Sequence, residues 1–572
     1  MKTKIGKLLL SASFVAILLA IQVFPAWREP VRAKNAMVAS QHKLASEIGA
    51  SIMKKGGNAI DAAVAVGLAL AVVYPEAGNL GGGGFMLIRL DNGKTAAIDY
   101  REMAPQGATR DIYVDEKGEL IRGEGGSVIG YRAAGVPGTP AGLEFAFKKY
   151  GSGKVSWAEV VQPAENLAKN GFVLSYRLAE LFKSYRGNLE KYEDSKRIFL
   201  NNGDFYDEGD TLKQPDLGKT LERIRKTGAS DFYKGVTARL IAEDMARNNG
   251  LITMADLANY EVKERTALQG KYRGNTIISM PPPSSGGIVM FQVLGMLERY
   301  DLASMGQDSS ERLHLLNEAL RRSFADRAEF MGDPDFSDVP VAKLLSGEYI
   351  KLRGDTINAS KATPSNEIGP GKPYGQEGME TTHFTVIDPS GNVVSNTYTI
   401  NNLYGNAVTA KGTGVLLNDE MDDFAARPGK PNLFGLIQGE RNAVGPRKRP
   451  LSSMTPTIVL DKDGKFWFAV GARGGPRIIT AVLQSTMNMI DHGMNIQEAL
   501  DAPRIHHQWL PDLTIWEQYG LSPDTRKQME AMGHKFTPSP MNIASATAVA
   551  VDSKGVRLGA IDSRSDGEAI GY

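Results

Sequence analysis

The sequence contains no cysteine. Disulfides, thiolate nucleophiles, zinc–thiolate sites and iron–sulfur clusters are therefore excluded, as is a lipid anchor on an N-terminal cysteine. Covalent catalysis would have to use Ser, Thr, Lys, Asp, Glu, His or Tyr. An excess of charge of either sign is lacking too: 66 basic residues meet 65 acidic ones, for a net charge of +1. That excludes the strong basic bias of a nucleic-acid binder, and no block of like charge reads as a disordered tail. Histidine is scarce, at seven residues, and none shows zinc-protease spacing; His506 and His507 are expected on opposite faces of a strand. Internal repeats of solenoid type are also missing.

What is present is bulk. The 572 residues are 42% hydrophobic, enough for about three or four domains or one large layered fold. Lys2, Lys4 and Lys7 precede an apolar run from Leu8 to Ala26, the basic head and apolar middle of an export signal. Val31-Arg32-Ala33 carries small residues at cleavage offsets. The other reading is an uncleaved membrane anchor, because about 20 apolar residues can span a bilayer. Either way the chain is expected outside the cytoplasm, as a periplasmic, extracellular or envelope-associated protein.

Downstream, residues 36–53 read as an amphipathic helix stopped by Lys54-Lys55-Gly56-Gly57. Asn58 reads as the cap of a second helix, through Asp61 to Val73, apolar all round and hence buried. The tetraglycine from Gly81 to Gly84 leads into the strand Phe85-Met86-Leu87-Ile88. It lacks the Lys-Ser/Thr of a phosphate-binding loop and precedes a strand, so it reads as close backbone packing. A second strand covers Thr95 to Tyr100, after the turn Asp91-Asn92-Gly93. Residues 156–330 read as largely helical, with a rigid Pro281-Pro282-Pro283-Ser284-Ser285-Gly286-Gly287 loop entering one helix. Residues 357–379 are rich in Pro, Gly, Ser and Lys and read as an exposed linker. Directly after them comes the strongest β signal, a hairpin of 382–388 and 393–400; two more hairpins follow at 455–470 and 545–561. The coarse class is mixed α/β (α+β), with antiparallel sheets packed by helices.

A threonine hydroxyl is too weak an acid to attack unaided. A threonine at a chain N-terminus solves this, because its own α-amine, pKa about 7.7–8.0, is a base at neutral pH. The expected pattern is a Thr that opens a core strand just after a flexible linker. Glu380-Thr381-Thr382-His383 has that placement, although a Thr pair at a strand start also suits a purely structural role. His383 is not needed as a base beside a free amine and reads as structural.

Thr381-Thr382-His383-Phe384-Thr385-Val386, with Gly391-Asn392 downstream, resembles the processing site of gamma-glutamyltransferases, members of the N-terminal-nucleophile hydrolases. Further motifs follow the family order: Asn79 to Phe85, Arg101-Glu102-Met103-Ala104-Pro105, Thr397 to Asn401, Leu417 to Phe424, Lys448 to Met454, and Gly474-Gly475. The resemblance covers the chain from about residue 36 to its end. It implies a four-layer αββα sandwich and a self-cleaving precursor cut between Glu380 and Thr381. The products are a large chain, 34–380 once residues 1–33 are set aside, and a small chain, 381–572, held as a heterodimer.

The resemblance also assigns roles. Thr381 is the nucleophile and Thr399 supports its hydroxyl. Arg101 pairs with the substrate α-carboxylate, a fit for a planar bidentate donor, and Ser452 and Ser453 add hydroxyl donors. Asn401, Glu420 and Asp423 receive the α-ammonium, since a buried cation needs partners. Backbone N–H groups of Gly474 and Gly475 form the oxyanion hole. The implied substrates are glutathione and related gamma-glutamyl donors, with amino acids, dipeptides or water as acceptors and with no metal or organic cofactor. Residues 428–445 resemble a lid over the site, with Phe434 where a Tyr is common. A cephalosporin acylase, a poly-gamma-glutamate-processing amidohydrolase and an inactive envelope scaffold are the rival readings.

Overall fold

The two most regular β segments of the sequence, Thr382–Ile387 and Val393–Thr399, pair as an antiparallel hairpin with Thr382 opposite Tyr398. They form the middle of a sheet in a computed structural model that describes residues 28–368, 381–430, 432 and 435–572. The sheet runs in the order Glu568–Gly571, Met37–Ser40, Thr382–Ile387, Val393–Thr399, Gly83–Arg89, Thr95–Tyr100, Lys263–Arg265. A second seven-stranded sheet has the order Val31–Ala33, Arg557–Ile561, Ser545–Val551, Phe466–Arg473, Thr457–Leu460, Asn275–Ser279, Leu268–Tyr272. All strand pairings within both sheets are antiparallel.

Every residue of the central hairpin strands is buried. One face meets the second sheet through Phe466–Arg473 and Ser545–Val551, and the other meets the helix Ala59–Val73. The period-2 alternation therefore sorts side chains between two interiors rather than between core and water. His383 packs against Gly471 of the second sheet, while Phe384 reaches Gly67 of the helix. On its far side the second sheet carries the helix Arg477–Ile490, with Gly286–Leu297 packed beside it.

The helix Ala59–Val73 forms where the sequence puts it and is buried along its whole length. Asn58 Oδ1 accepts from the N–H groups of Ile60 and Asp61 at 3.0 Å each, and the Asp61 carboxylate accepts from Asn58 N–H at 2.9 Å. Such a reciprocal cap contributes about 1 kcal/mol. The reading of residues 36–53 as one helix is corrected. Met37–Ser40 is a strand held between Thr385–Ile387 and Glu568–Gly571, and the helix is Lys43–Lys54, capped by the His42 ring. The largely helical reading of 156–330 also misses five strands: the two-residue pair Phe172–Val173 and Thr211–Leu212, and Lys263–Arg265, Leu268–Tyr272 and Asn275–Ser279. The tetraglycine does pack closely: a Cβ on Gly82 would collide with the Thr399 carbonyl. Among the described residues, no helix is long and apolar enough to cross a membrane. The apolar run at Leu8 to Ala26 lies outside the described residues, as do residues 369–379 of the linker, Glu380 and Phe434.

Candidate active site

Thr381 immediately precedes the central strand and is 4% exposed. The neighbouring strand ends at Thr399, and the hairpin register places the two threonines side by side, so that the Thr381 hydroxyl donates to Thr399 Oγ1 at 3.4 Å. Thr399 Oγ1 also accepts from the Asn401 backbone N–H at 2.8 Å. Asn401 sits at φ 73°, a left-handed conformation that Asn tolerates better than most residues. That turn directs its side chain back to donate to the Asp419 carbonyl at 3.0 Å.

Arg101 follows the strand Thr95–Tyr100 and is fully buried. Its guanidinium forms ion pairs with Glu420 and with Asp423, and approaches Glu102 at 3.4 Å. Its Nε donates to the Pro450 carbonyl at 3.3 Å. Glu420 and Asp423 are the two ends of the short 3₁₀ turn Glu420–Asp423. Residues three apart eclipse in such a turn, so both carboxylates face the same cation. Burial alone would lower the Arg101 pKa, but Glu420, Asp423 and Glu102 outweigh it and hold the pKa above its ordinary value. Burial pushes the Glu102 carboxyl up to about 7 and raises Glu420 well above the carboxylate range, against the pull of Arg101 in each case. Arg101 therefore spends its charge on the acids expected to meet an ammonium, and those acids spend theirs on Arg101.

Ser452 and Ser453 are placed by the loop that follows the triproline. Ser452 N–H donates to the Pro283 carbonyl and Ser285 N–H to the Ser452 carbonyl, both at 2.8 Å. The Ser284 and Ser285 hydroxyls donate to the carbonyls of Met454 and Ser452, at 2.6 and 2.8 Å. Gly474 and Gly475 end the strand Phe466–Arg473 and precede the helix Arg477–Ile490. Gly474 has φ 134°, and a Cβ there would lie 2.8 Å from Ala544 Cα. In the lid-like segment, Gln438 and Asn442 donate their side-chain amides to the Asp423 carbonyl at 3.0 and 2.7 Å.

One cleft is lined by Thr381, Thr399, Asn401, Arg101, Glu420, Asp423, Ser452, Ser453 and Gly475, with Leu436 of the lid-like segment. The structure brings these expected residues together; Gly474 is adjacent and does not line the cleft. The free space is about 20 Å³, room for about one water molecule. Two residues that contact the cleft's lining escaped the sequence reading. Glu102 stands inside a quoted motif but received no role. Arg327 lies on the helix Ser310–Phe330, in a stretch that the sequence marks only as helical; it is 1% exposed and donates to Ser453 Oγ at 3.4 Å. His383, fully buried, bonds Thr397 Oγ1 through Nδ1 at 2.8 Å, and burial lowers its pKa to about 3. It is a neutral residue of the sheet interface, in keeping with a structural reading.

Residues 45–572 match the model of the family described as Gamma-glutamyltranspeptidase. The chain is 50% identical to the glutathione hydrolase proenzyme of Escherichia coli (strain K12), over 95% of this chain and 93% of that one. It is 38% identical to the Acylase ACY 1 proenzyme of Pseudomonas sp. (strain SE83), over 96% and 95%. Among solved structures, cephalosporin acylase from Bacillus halodurans superposes with a TM-score of 0.84 at 26% identity, covering 97% of this chain and 98% of that one. Helicobacter pylori gamma-glutamyltranspeptidase gives a TM-score of 0.57 at 47% identity, covering 61% of this chain and 97% of that chain.

Proposed function

The chain belongs to the gamma-glutamyltranspeptidase family and is a gamma-glutamyltransferase and glutathione hydrolase made as a proenzyme; from that premise we propose how its residues divide the work. The two face-to-face sheets with helices outside them are read as the αββα sandwich of N-terminal-nucleophile hydrolases. The precursor cleaves itself between Glu380 and Thr381. The Thr381 hydroxyl attacks the preceding carbonyl, the peptide becomes an ester, and water releases Thr381 with a free α-amine. The large chain ends at Glu380, and the small chain is 381–572. Residues 1–33 include the export signal, which places the enzyme in the periplasm or beyond.

In turnover the Thr381 amine takes the proton of its own hydroxyl, which attacks the γ-amide carbonyl of glutathione or a similar donor. The N–H groups of Gly474 and Gly475, ahead of a helix N-terminus, stabilise the oxyanion. The amine product leaves with a proton, and a gamma-glutamyl ester of Thr381 remains for an amino acid, a dipeptide or water to take. The donor's α-carboxylate goes to Arg101, Ser452 and Ser453, and its α-ammonium to Asn401, Glu420 and Asp423. Because Arg101 and the acids already pair with one another, a zwitterion enters by exchange: each ligand charge takes over a partner that its other charge sets free. A cephalosporin side chain without an ammonium offers no such exchange.

The observation that carries this reading is the position of Thr381, at the head of a central strand with its hydroxyl against Thr399, in one cleft with Arg101, Glu420, Asp423 and Gly475. The test is to express residues 28–572 and read chain masses and N-termini. Two chains are expected, one starting at Thr381, with gamma-glutamyl hydrolysis and transfer; Thr381→Ala should stay whole and inactive. A single intact, folded wild-type chain would overturn the proposal.

A further inference from the structure

Arg327 is a buried cation with few partners. It projects from the helix Ser310–Phe330, and its Nε donates to Ser285 Oγ at 2.9 Å. Its Nη2 donates to Ser453 Oγ at 3.4 Å, and its Nη1 has no hydrogen-bond partner among the described residues. No ion pair within 4 Å joins it to a carboxylate among those residues, and Asp423 is the one acid whose field offsets the effect of burial. Burial draws its pKa down to about 10, so it remains charged at neutral pH. An unpaired buried charge costs several kcal/mol, which makes a merely space-filling role a poor account of a guanidinium here.

Its two contacts share a target. Ser285 accepts from Arg327 and donates to the Ser452 carbonyl, while Ser453 accepts from Arg327 directly. A hydroxyl has one proton and two acceptor sites, and a guanidinium can only donate. Ser453, once it accepts from Arg327, has to turn its own proton elsewhere, and its open side is the cleft.

We propose that Arg327 is the positioning residue of the α-carboxylate pocket: through Ser285 it holds the Ser452 backbone, and through Ser453 Oγ it aims a hydroxyl proton at the donor's carboxylate. It thereby adds a second cation beside the serines, next to Ser453. This inference rests on the proposed function and adds a residue to it.

The experiment compares gamma-glutamyl-p-nitroanilide with its α-methyl ester as donors for wild type, Arg327→Gln, Arg327→Lys and Ser285→Ala. Arg327→Gln should raise KM for the acid donor about tenfold or more, the scale of a hydrogen bond to a charged group, and hold kcat within about threefold. It should scarcely alter the ester, so that the preference for a free carboxylate collapses. Arg327→Lys should restore much of that preference. An equal loss with both donors, or an intact preference, would overturn the inference. Should Arg327→Gln fail to fold, an unchanged preference in both Arg327→Lys and Ser285→Ala overturns it instead. Wild-type turnover of the acid donor upholds the proposed function on its own; its absence brings down both.

Discussion

Thr381 has another hydroxyl, not a base, as its near neighbour. Thr399 accepts from Thr381 and from the Asn401 N–H at once, so it holds together the direction of the proposed nucleophile and the start of the turn proposed to meet the ammonium. Thr399→Val keeps the shape and removes both acceptor sites. It should lower kcat about 10- to 100-fold, the scale of losing one aligned catalytic partner, slow self-cleavage, and leave donor KM within about threefold. Steady-state rates and gels of freshly folded precursor check this; unchanged kcat would remove Thr399 from the mechanism. At this scale the sequence was most legible where a residue stands in a motif that names its chemistry, as Thr381 and Arg101 do. Arg327 could not be read that way. Its neighbours Arg321, Arg322 and Asp326 are also buried, and only the surrounding elements reveal a helix full of charge to be an interior one.

Elements with local causes were legible, and elements with distant causes were not. The helix Ala59–Val73 carries its own reciprocal cap and an unbroken apolar surface. Met37–Ser40 has four residues and no local signal; its strand character comes from partners about 350 and 530 positions away, at Thr385–Ile387 and Glu568–Gly571. The same holds for Val31–Ala33, which pairs with Arg557, Leu558 and Gly559 and adds the 2.6 Å ion pair of Arg32 with Asp552. A cut after Ala33 would remove this edge strand. A chain beginning at Lys34 should therefore melt about 2–4 °C below one beginning at Arg28, the shift for about 1 kcal/mol in a large domain. Matched thermal scans check this, and equal midpoints would show that the edge strand contributes nothing.

Over the whole molecule, six histidines are held below their ordinary pKa by burial: His42 to about 4, His383 to about 3, His506 to about 3, His507 to about 4, His534 to about 2, and His492 in the same direction. Each charges more readily once the chain unfolds. Unfolding therefore takes up protons between pH 6.5 and about 4, and stability present above 6.5 drains as pH falls through that window. Glu102, Asp308, Asp326, Asp333, Asp419 and Glu420 act in the opposite sense, since burial raises their pKa and lower pH favours their folded form. The histidines titrate inside this range in the unfolded chain, at an ordinary pKa of 6.5, so the melting temperature is expected to fall from pH 7 to pH 5. Calorimetry across that range checks the sign, and a rise would show that the acids prevail.

The proposed boundary at residue 380 is not a boundary in space. In the first sheet, the strands Met37–Ser40 and Gly83–Arg89 flank the hairpin of 382–399, and in the second Asn275–Ser279 lies against Thr457–Leu460. An uncut chain finds these partners within itself, at the high effective concentration that a tether supplies. Once cut and denatured, the two pieces have to meet by diffusion. Recovery from urea should be indifferent to dilution for the uncut Thr381→Ala chain and should worsen with dilution for the processed pair. The bond proposed to break in making the enzyme is thus the one that lets it be assembled alone: on this reading each molecule folds once as a single partner, and afterwards it can only be kept, not readily remade.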